Sequence, residues 1–559
     1  MRSISDKVRQ HVVIDRDDDV YQAYVDVALT NSGKLVCVWR ETAAHASGSW
    51  ARLVMKQSFD MGKTWSDHVI LADSSRIHWQ LSNILLLKDG RLVINACSDG
   101  GEGYLFWSVD DGETWSKPQE IDVEGIGPRR LIELHNGTLL QTVEQEFPRK
   151  NHWRNNFSTV LYQSTDSGTT WSFLSVVAES DVLALCEAPI VQLHDGTLVC
   201  YFRETSSLHH PTYKNYSYDN GKTWTEPEVT GLYAFQPNAL VLKDGRVLFT
   251  YCNVGGNCSA YAWCGDGYDS TGVQASARWR NDGCVTLTPD GLRIKTTGDP
   301  KSRPPFFLLL PAETDKSTII FEARLKCMEN ATGDACIINI IEAGELRFYP
   351  DRVDLVHELI PKKPGWKRDF SWGRDIKVVE SFKVDAAELH TYRIVRTPDR
   401  TLTVSVDNVP RLKTKKLMET RPVPYGASMH DLNCFGTSPH IPGQIHLRSP
   451  VVPQKTKGES YWQYVRLRVT NPTLPEYHYN WHASSGRYPN QYERDHILEI
   501  AYDPMADPGE PHTIELPDGR IYCVYHTAAA AEKGTNTYAN PYIMGCYIHQ
   551  SDLPARSHA

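Results

Sequence analysis

One eight-residue pattern, Ser-x-Asp-x-Gly-x-Thr-Trp, constrains the fold of this chain more than any other feature. Its four copies begin at Ser58, Ser108, Ser164 and Ser217, at intervals of 50, 56 and 53 residues. In each copy the aspartate can accept backbone N–H bonds, the glycine can adopt a positive φ, and the tryptophan can pack between sheets. A repeat of about 50 residues that holds several short β-rich runs predicts a β-propeller with one sheet per repeat.

A second repeated feature, a glycine turn between two β-rich runs, marks the centre of each predicted blade. The six turn glycines are Gly33, Gly90, Gly137, Gly196, Gly245 and Gly519. A β-rich segment from His11 to Ile14 precedes the first repeat, and we expect it to pair with the last blade so that no sheet edge stays open. The sequence therefore predicts an all-β fold built on a six-bladed β-propeller.

The repeat is interrupted between the fifth and sixth turn glycines. Alternating runs such as STIIFEARLKC and TLTVSVDNVPRL replace the octets there, and they fit two stacked antiparallel sheets. The predicted domains are propeller blades one to five over 1–274, an inserted β-sandwich over 275–471, and a return linker with blade six over 472–559. The linker, from about Pro472 to Glu493, is rich in Pro, Tyr and His and lacks strand alternation.

Composition excludes several classes of partner. A net charge of −9 and an isoelectric point near 6.2 argue against a nucleic-acid-binding surface. The chain has no long apolar run and no apolar segment of signal-peptide type at its start, so we expect a cytoplasmic protein without a membrane partner. The 13 cysteines include no CxxC pair, and most lie in strand-like runs, which favours reduced core residues over disulfides or zinc.

No cofactor or metal is predicted, although a structural calcium site made of backbone carbonyls would leave no pattern in the sequence. The oligomeric state stays open, with a homodimer as one alternative.

Pocket residues of a propeller should recur at fixed distances from each turn glycine, because equivalent strands reach the central channel at the same end. The positions nine before and seven after the glycine are Glu187 and Arg203 in blade four. In the other blades they are Tyr24 and Arg40, Leu81 and Cys97, Pro128 and Glu144, Gln236 and Cys252, and Glu510 and His526. Charged groups that converge on a channel mouth are costly unless they pair or bind something. A structural ion pair and a ligand site are the two interpretations of Glu187 with Arg203.

The repeated Arg-Glu-Thr at 40–42 and 203–205 favours the ligand site, because two guanidinium groups at one mouth suit a carboxylate or polyol ligand.

The octets have the form of the Asp-boxes of the sialidase superfamily, and CEAPIVQLHDGTLVCYFRET resembles a blade of that family. The resemblance implies that Glu187 activates a tyrosine nucleophile and that Arg203 belongs to a carboxylate-binding arginine triad. Ala23-Tyr24-Val25 stands where the family has Arg-Ile-Pro, and no third arginine appears in 251–256.

Two further positions depart from the family pattern. Glu510 stands where the family has its blade-six tyrosine, and the acid/base position falls in 41–49, where Glu41 and His45 can exchange protons. The insert, in turn, resembles concanavalin-like (laminin G-like) jelly-roll modules.

Two carboxylates with nearby proton-transfer groups are the set that glycoside hydrolysis usually requires. The predicted catalytic residues are Glu187, Glu510, His45 and His526, and the predicted substrate-binding residues are Arg40, Arg203, Tyr24, Glu41, His78, Gln80, Arg129 and Gln236. We predict a sialidase-like exo-glycoside hydrolase that removes a terminal acidic sugar from oligosaccharides or glycoconjugates.

Two alternatives stay open. The first is a polysaccharide lyase on uronate-containing glycans, with a His or Tyr base. The second is a non-catalytic carbohydrate-binding propeller.

Overall fold

The computed structural model describes residues 2–43, 50–74, 77–146, 157–181, 183–205, 211–253, 259–269, 275–278, 282–299, 306–309, 316–358, 376–417, 433–438, 455–502, 509–528 and 540–554. Within these ranges the regular secondary structure is almost entirely β-strand, as predicted. The single α-helix there is Gln491–His496, and short 3-10 helices cover Val8–Gln10, Asp282–Cys284 and Ala483–Ser485. No helix among the described residues is both long enough and apolar enough to span a membrane.

Six antiparallel sheets form the predicted six-bladed propeller. Blade one contains Tyr21–Leu29, Leu35–Thr42, Ala51–Ser58 and Val69–Asp73. Blade two contains Trp79–Leu86, Leu92–Ser98, Gly103–Ser108 and Gln119–Ile121. Blade three contains Ile126–Glu133, Leu139–Glu146, Phe157–Ser164 and Ser172–Ala178. Blade four contains Leu185–Cys186, Ile190–Gln192, Leu198–Glu204, Tyr213–Ser217 and Glu228–Val229. The first strands of neighbouring blades contact one another all the way round, so they line the central channel.

The last two blades join distant parts of the chain. Blade five contains Phe235–Val241, Val247–Asn253, Ser259–Gly265 and Ile497–Tyr502, with Arg2–Ser3 added in parallel at its edge. Blade six contains Gly509–Glu515, Ile521–Ala528, Pro541–Ile548 and His11–Asp15. The N-terminal strand pairs antiparallel with Pro541–Ile548, which confirms that the start of the chain closes the ring.

The insertion point differs from the predicted one. We expected the insert to lie between blades five and six, but the fourth strand of blade five, Ile497–Tyr502, follows the insert and pairs with Ser259–Gly265. The segment expected to be a linker without strands also contains Tyr477–His482, which pairs with a strand of the insert. Ile497–Tyr502 is short, mostly apolar and has no adjacent octet, so its sequence gives no periodic signal for its sheet. Tyr477–His482 does alternate between buried and exposed residues, and the sequence analysis missed this signal.

The insert consists of two antiparallel sheets that pack face to face. The seven-stranded sheet has the order Ala275–Arg278, Phe306–Leu309, Asn433–Gly436, Ile337–Ile340, Gly344–Tyr349, Arg352–Glu358, Ile376–Lys383. The eight-stranded sheet has the order Val285–Thr288, Gly291–Thr297, Lys457–Thr470, Thr318–Asn330, His390–Arg396, Leu402–Val406, Val409–Thr414, with Tyr477–His482 paired to Lys457–Thr470. One apolar core joins them, with Phe435 and Trp462 in ring contact at 5.1 Å. The identification of this unit as a concanavalin-like jelly-roll stays a prediction.

The four octets lie at the end of the propeller that carries the hairpin turns, and each contacts the preceding blade. In every copy the aspartate accepts hydrogen bonds from the octet's Ser and Thr hydroxyls and from the Thr backbone N–H, for example 2.8 Å from Ser164 and 2.9 Å from Thr170 to Asp166. These bonds lower the pKa of Asp166 to about 2. Gly168 has φ +87°, and a Cβ there would lie 2.7 Å from the Trp107 ring of blade two. The octets therefore join neighbouring blades.

Candidate active site

The first strand of every blade is interrupted where it reaches the channel mouth. In five blades its pairing with the second strand shifts register at this point, and in blade four it is split between Cys186 and Ile190. Four of the six residues that lie nine positions before the turn glycine have positive φ: Tyr24 at 58°, Glu187 at 46°, Gln236 at 46° and Glu510 at 49°. Non-glycine residues keep this conformation only where their surroundings enforce it, and such positions cluster at functional sites.

A polar cavity of about 340 Å³ opens at this mouth. Its lining residues are Tyr24, Gln80, Asn83, Cys97, Ser98, Asp99, Gly101, Ile126, Arg130, Glu187, Pro189, Gln236, Pro237, Glu510 and His512. The lining includes Tyr24, Glu187, Gln236 and Glu510, so the left-handed residues of four blades meet in one site. This volume lies at the small end of ligand pockets, which span roughly 300–1,000 Å³.

A buried charge cluster lies at the base of the cavity. The Asp26 carboxylate contacts His512 Nδ1 at 2.9 Å and Arg130 Nη1 at 3.4 Å, and it accepts hydrogen bonds from the Asn83 amide at 3.1 Å and the Ile84 backbone at 3.0 Å. Burial by itself would raise the pKa of the Asp26 carboxyl, but these partners lower the pKa to about 2. Asp26 is therefore ionised at neutral pH and fixes the Arg130 and His512 side chains beside it.

The imidazole of His512 presents one nitrogen to the cavity. Nδ1 contacts Asp26 at 2.9 Å and Arg130 at 3.0 Å, while Nε2 has no hydrogen-bond partner among the described residues. Burial lowers the pKa of His512 below its ordinary value, Asp26 opposes this effect, and Arg130 adds to it. A neutral imidazole whose Nδ1–H points to Asp26 has an open Nε2 lone pair that can accept a proton.

Arg130 also has N–H groups that are available to a ligand. Only its Nη1 has partners within the described part of the chain, and the side chain is 18% exposed at the cavity wall. Nε and Nη2 remain for a ligand. A guanidinium with an open edge binds a carboxylate through paired hydrogen bonds.

Glu187 and Arg203 form an ion pair on the blade-four wall. Arg203 Nη1 donates to Glu187 Oε1 at 2.7 Å, and the other carboxylate oxygen accepts the backbone N–H of Gln236 at 3.1 Å. The Arg203 guanidinium lies 3.7 Å from the centre of the Phe235 ring. Burial disfavours its charge, but Glu187 outweighs burial and raises the pKa of Arg203 above its ordinary value. The pair and the Gln236 N–H thus fix the Glu187 carboxylate in the wall of the cavity.

Blade one places a buried arginine behind the cavity wall. Arg40 is fully buried, its Nη1 donates to Gln80 at 2.9 Å, and its guanidinium lies 5.6 Å from the Tyr24 ring centre. Gln80 in turn donates to Asp99 on the cavity surface. Within the described residues Arg40 has no carboxylate partner, so its charge acts on the cavity through Gln80 and Tyr24.

Several predicted site residues do not reach the cavity lining. The Glu41 carboxylate is buried within blade one and pairs with Arg52 at 2.7 Å. His526 is buried against the backbone of Gly509, and His78 lies 3.7 Å from Asp99 outside the lining. His45 lies outside the described residues, and so does the side chain of Arg129.

The residues at the base of the cavity were missed, although a signal for them exists. Asp26, Asn83, Arg130 and His512 each lie seven positions before their turn glycine, two residues after the positions that we selected. Side chains two apart on a strand share one face, so the same count shifted by two finds the second layer of the channel. The sequence analysis used only the layer nearest the mouth.

One group of metal-capable side chains occurs among the described residues, away from the cavity. Asp15, Glu41 and His68 bring ligand atoms within 4.8 Å of one another. Lys56 lies 2.5 Å from Asp15 and Arg52 lies 2.7 Å from Glu41, so both carboxylates already have cationic partners. The absence of a cofactor stays a prediction.

Comparison with known proteins agrees with the fold. Residues 33–291 match the BNR repeat-like domain family. This match, the ring of six sheets and partial matches to sialidases together support the predicted propeller of the sialidase superfamily, and with it a fold like that of sialidase-like glycoside hydrolases.

Individual relatives match only in part. A sialidase from Clostridium perfringens is 26% identical over 185 residues, which cover 28% of this chain and 46% of that protein. A sialidase from Paraclostridium sordellii is 25% identical over 204 residues, which cover 30% of this chain and 48% of that protein. The match thus spans about half the length of these relatives. The crystal structure of a protein of unknown function from Dyadobacter fermentans aligns with 96% of this chain and 97% of its own, at 14% identity and a TM-score of 0.45.

Proposed function

We propose that this protein is an exo-acting glycoside hydrolase that removes one terminal acidic sugar from an oligosaccharide or glycoconjugate. One observation carries the proposal: a single small cavity at the channel mouth has two carboxylates on its walls and a buried Asp26–Arg130–His512 cluster at its base. A cavity of this volume accepts one terminal sugar unit and leaves the rest of the glycan outside. Partial matches to sialidases support the same class of substrate.

The open edge of Arg130 supports an acidic sugar. In this proposal Nε and Nη2 of Arg130 bind the sugar carboxylate, while Asp26 holds the guanidinium in place from behind. Arg203 does not bind the sugar in this proposal, because its Nη1 already donates to Glu187. Its role is to hold the Glu187 carboxylate in place.

The two wall carboxylates supply the groups that the reaction requires. Glu187, held by Arg203, attacks the anomeric carbon or activates the water that does so, and Glu510 gives its proton to the leaving oxygen, so that the aglycone departs as an alcohol. Water supplies the new anomeric hydroxyl, and the proton that this water loses passes through the open Nε2 of His512 back to Glu510.

The test is a panel of aryl glycosides of acidic and neutral sugars, with Arg130→Met as the variant and Arg91→Met as its control. Arg91 pairs with Asp89 at a hairpin turn remote from the cavity. We expect the wild type and Arg91→Met to release the acidic sugar, and Arg130→Met to lose about 10²-fold in kcat/KM on it, as when a bidentate charge contact is removed. Equal turnover by Arg130→Met and Arg91→Met would contradict the acidic-sugar assignment.

A lyase acting on a uronate-containing glycan is a second candidate, and a specific observation favours it. His512 Nε2 and the open edge of Arg130 lie in the same cavity, so a base and a carboxylate-neutralising cation are side by side. A lyase would take the proton next to the carboxylate and form a carbon–carbon double bond without water. Product absorbance in the near ultraviolet, with no incorporation of ¹⁸O from labelled water, would select the lyase over the hydrolase.

A further inference from the structure

The seven-stranded sheet of the insert is buried on both faces where it meets blade five. Along Phe306–Leu309, Ile337–Ile340 and Asn433–Gly436 every residue is buried, whereas two strands of the eight-stranded sheet, Thr318–Asn330 and Leu402–Val406, alternate between buried and mostly half-buried residues. One face of the seven-stranded sheet forms the insert's own core. The other face packs against the propeller.

We call this contact the bracing cluster. Its members are Tyr233, Phe235 and Cys252 of blade five with Phe306, Leu308, Ile337 and Cys434 of the insert. All seven are at most 5% exposed. The cluster is therefore a packed interior, and interiors of this density transmit displacement because they contain little free space.

The bracing cluster contacts the cavity wall through one side chain. Phe235 belongs to the bracing cluster, and the Arg203 guanidinium lies 3.7 Å from the centre of its ring. The next residue, Gln236, donates its backbone N–H to Glu187 at 3.1 Å and accepts a hydrogen bond from Cys252 Sγ at 3.2 Å. Both members of the Glu187–Arg203 pair thus depend on the position of this short segment.

We propose that the inserted unit is a positioning element of the site: its seven-stranded sheet holds Phe235 against Arg203 and so fixes the Glu187–Arg203 pair. An aromatic face under a guanidinium restricts its plane, and a shift of about 1 Å in a site of this kind is enough to reduce turnover. Phe235 is a positioning residue that acts through Arg203. The activity part of this inference rests on the proposed hydrolase function.

Adjacent residues on the same insert strands provide matched variants for the test. Leu308 and Ile337 face the bracing cluster, while Leu309 and Ile338 face the core between the two insert sheets. Leu308→Ala and Ile337→Ala therefore remove the same volume as Leu309→Ala and Ile338→Ala, from the opposite face of one sheet. All four variants are studied as the full chain at a temperature well below the lowest melting temperature among them.

The first readout is independent of any substrate. Cys252 is buried within the bracing cluster, and the twelve cysteines of the described part of the chain are all buried. Alkylation of Cys252, followed by peptide mass spectrometry, reports opening of the cluster. We expect Leu308→Ala and Ile337→Ala to speed labelling of Cys252 at least about tenfold relative to Leu309→Ala and Ile338→Ala.

The second readout is steady-state kinetics on the acidic substrate. We expect the two cluster variants to raise KM and lower kcat/KM about tenfold, whereas the two core variants keep wild-type values at the same temperature. Faster labelling with unchanged kinetics would overturn the positioning role. Equal labelling in all four variants would overturn the contact itself.

A reciprocal measurement separates this inference from the hydrolase proposal. Because Arg203 lies on the Phe235 ring, Arg203→Ala should also speed labelling of Cys252, even if the wild-type protein turns over none of the substrates. Labelling at the wild-type rate in Arg203→Ala would overturn the inference whatever the enzyme assay shows. Failure of turnover alone would instead count against the proposed function.

Discussion

The two ends of the propeller differ in how much their residues repeat from blade to blade. At the hairpin end the four octets repeat one hydrogen-bond network with nearly identical distances, and their glycines contact the blade before. At the mouth the blades place different residues at equivalent positions, and four of the six share a positive φ. Repetition in this chain marks what every blade needs to pack. Divergence at an equivalent position marks the site.

The two ends also differ in how they hold their charged side chains: the mouth buries a charged cluster, and the hairpin end keeps its aspartates in surface turns. Asp26, at 2% exposure, pairs with an arginine and a histidine from two other blades, whereas the octet aspartates are exposed and bond within their own turn. Removing one member of a buried charge group leaves the others unpaired, and this is far more costly than the loss of a surface contact. Substitutions at the two ends should therefore have different effects.

The largest expected effect comes from Arg203→Ala. It removes the ion pair and the aromatic contact that hold Glu187 in the cavity wall. We expect turnover of an acidic substrate to fall by at least about 10³-fold, because a correctly positioned proton-transfer group contributes roughly 10²–10⁴-fold to the rate. Circular dichroism should stay that of the wild type, since Arg203 lies at the mouth and outside the blade cores. Turnover close to the wild-type rate would contradict the site assignment.

The next effect is a shift of the pH profile in opposite directions for two variants. His512 loses its base form as the pH falls through its pKa. Burial holds this pKa below its ordinary value; Asp26 raises the pKa, and Arg130 lowers it further. Asp26→Asn should therefore move the acidic limb of kcat/KM to lower pH, and Arg130→Met should move it to higher pH. Residual activity is measured from pH 4 to 8 in both. Shifts in the same direction would show that another group sets the limb.

A third substitution should change stability and leave turnover intact. Gly168→Ala places a Cβ 2.7 Å from the Trp107 ring at φ +87°, which is on the order of 1–3 kcal/mol of strain. We expect a lower melting temperature with unchanged kcat and KM at 25 °C. Loss of activity per folded molecule would break the division between the two ends of the propeller.

The smallest expected effect belongs to a hairpin ion pair. Asp89 lies 2.7 Å from Arg91, and both side chains are solvent-accessible. Exposed pairs contribute little, so Asp89→Asn should leave both the melting temperature and kcat/KM within error of the wild type. A measurable loss of turnover would mean that the hairpin end takes part in function.

Much of the propeller follows from local sequence, because octets and turn glycines act within a few residues of each other. The same count placed Glu187, Gln236, Tyr24 and Glu510 at one mouth. Arg40, Arg203 and His526, which the same rule selects on second strands, lie outside the lining, whereas Cys97 at the equivalent position of blade two is part of it.

The remainder depends on contacts between distant segments. Ile497–Tyr502 joins blade five across more than 230 residues, and no local pattern specifies that pairing. The Asp26–His512 contact likewise joins the first and last blades. A prediction that counts from each turn glycine can find both residues, but only the closed ring shows that they meet.

The most direct test of the central claim is product analysis of a reducing-end-labelled acidic oligosaccharide in ¹⁸O-water. The account predicts that the wild type shortens the chain one residue at a time from the unlabelled end and incorporates ¹⁸O into the product, and that Glu187→Gln does neither. Internal fragments, or equal release by Glu187→Gln, would contradict an exo-acting hydrolase whose site lies at the channel mouth.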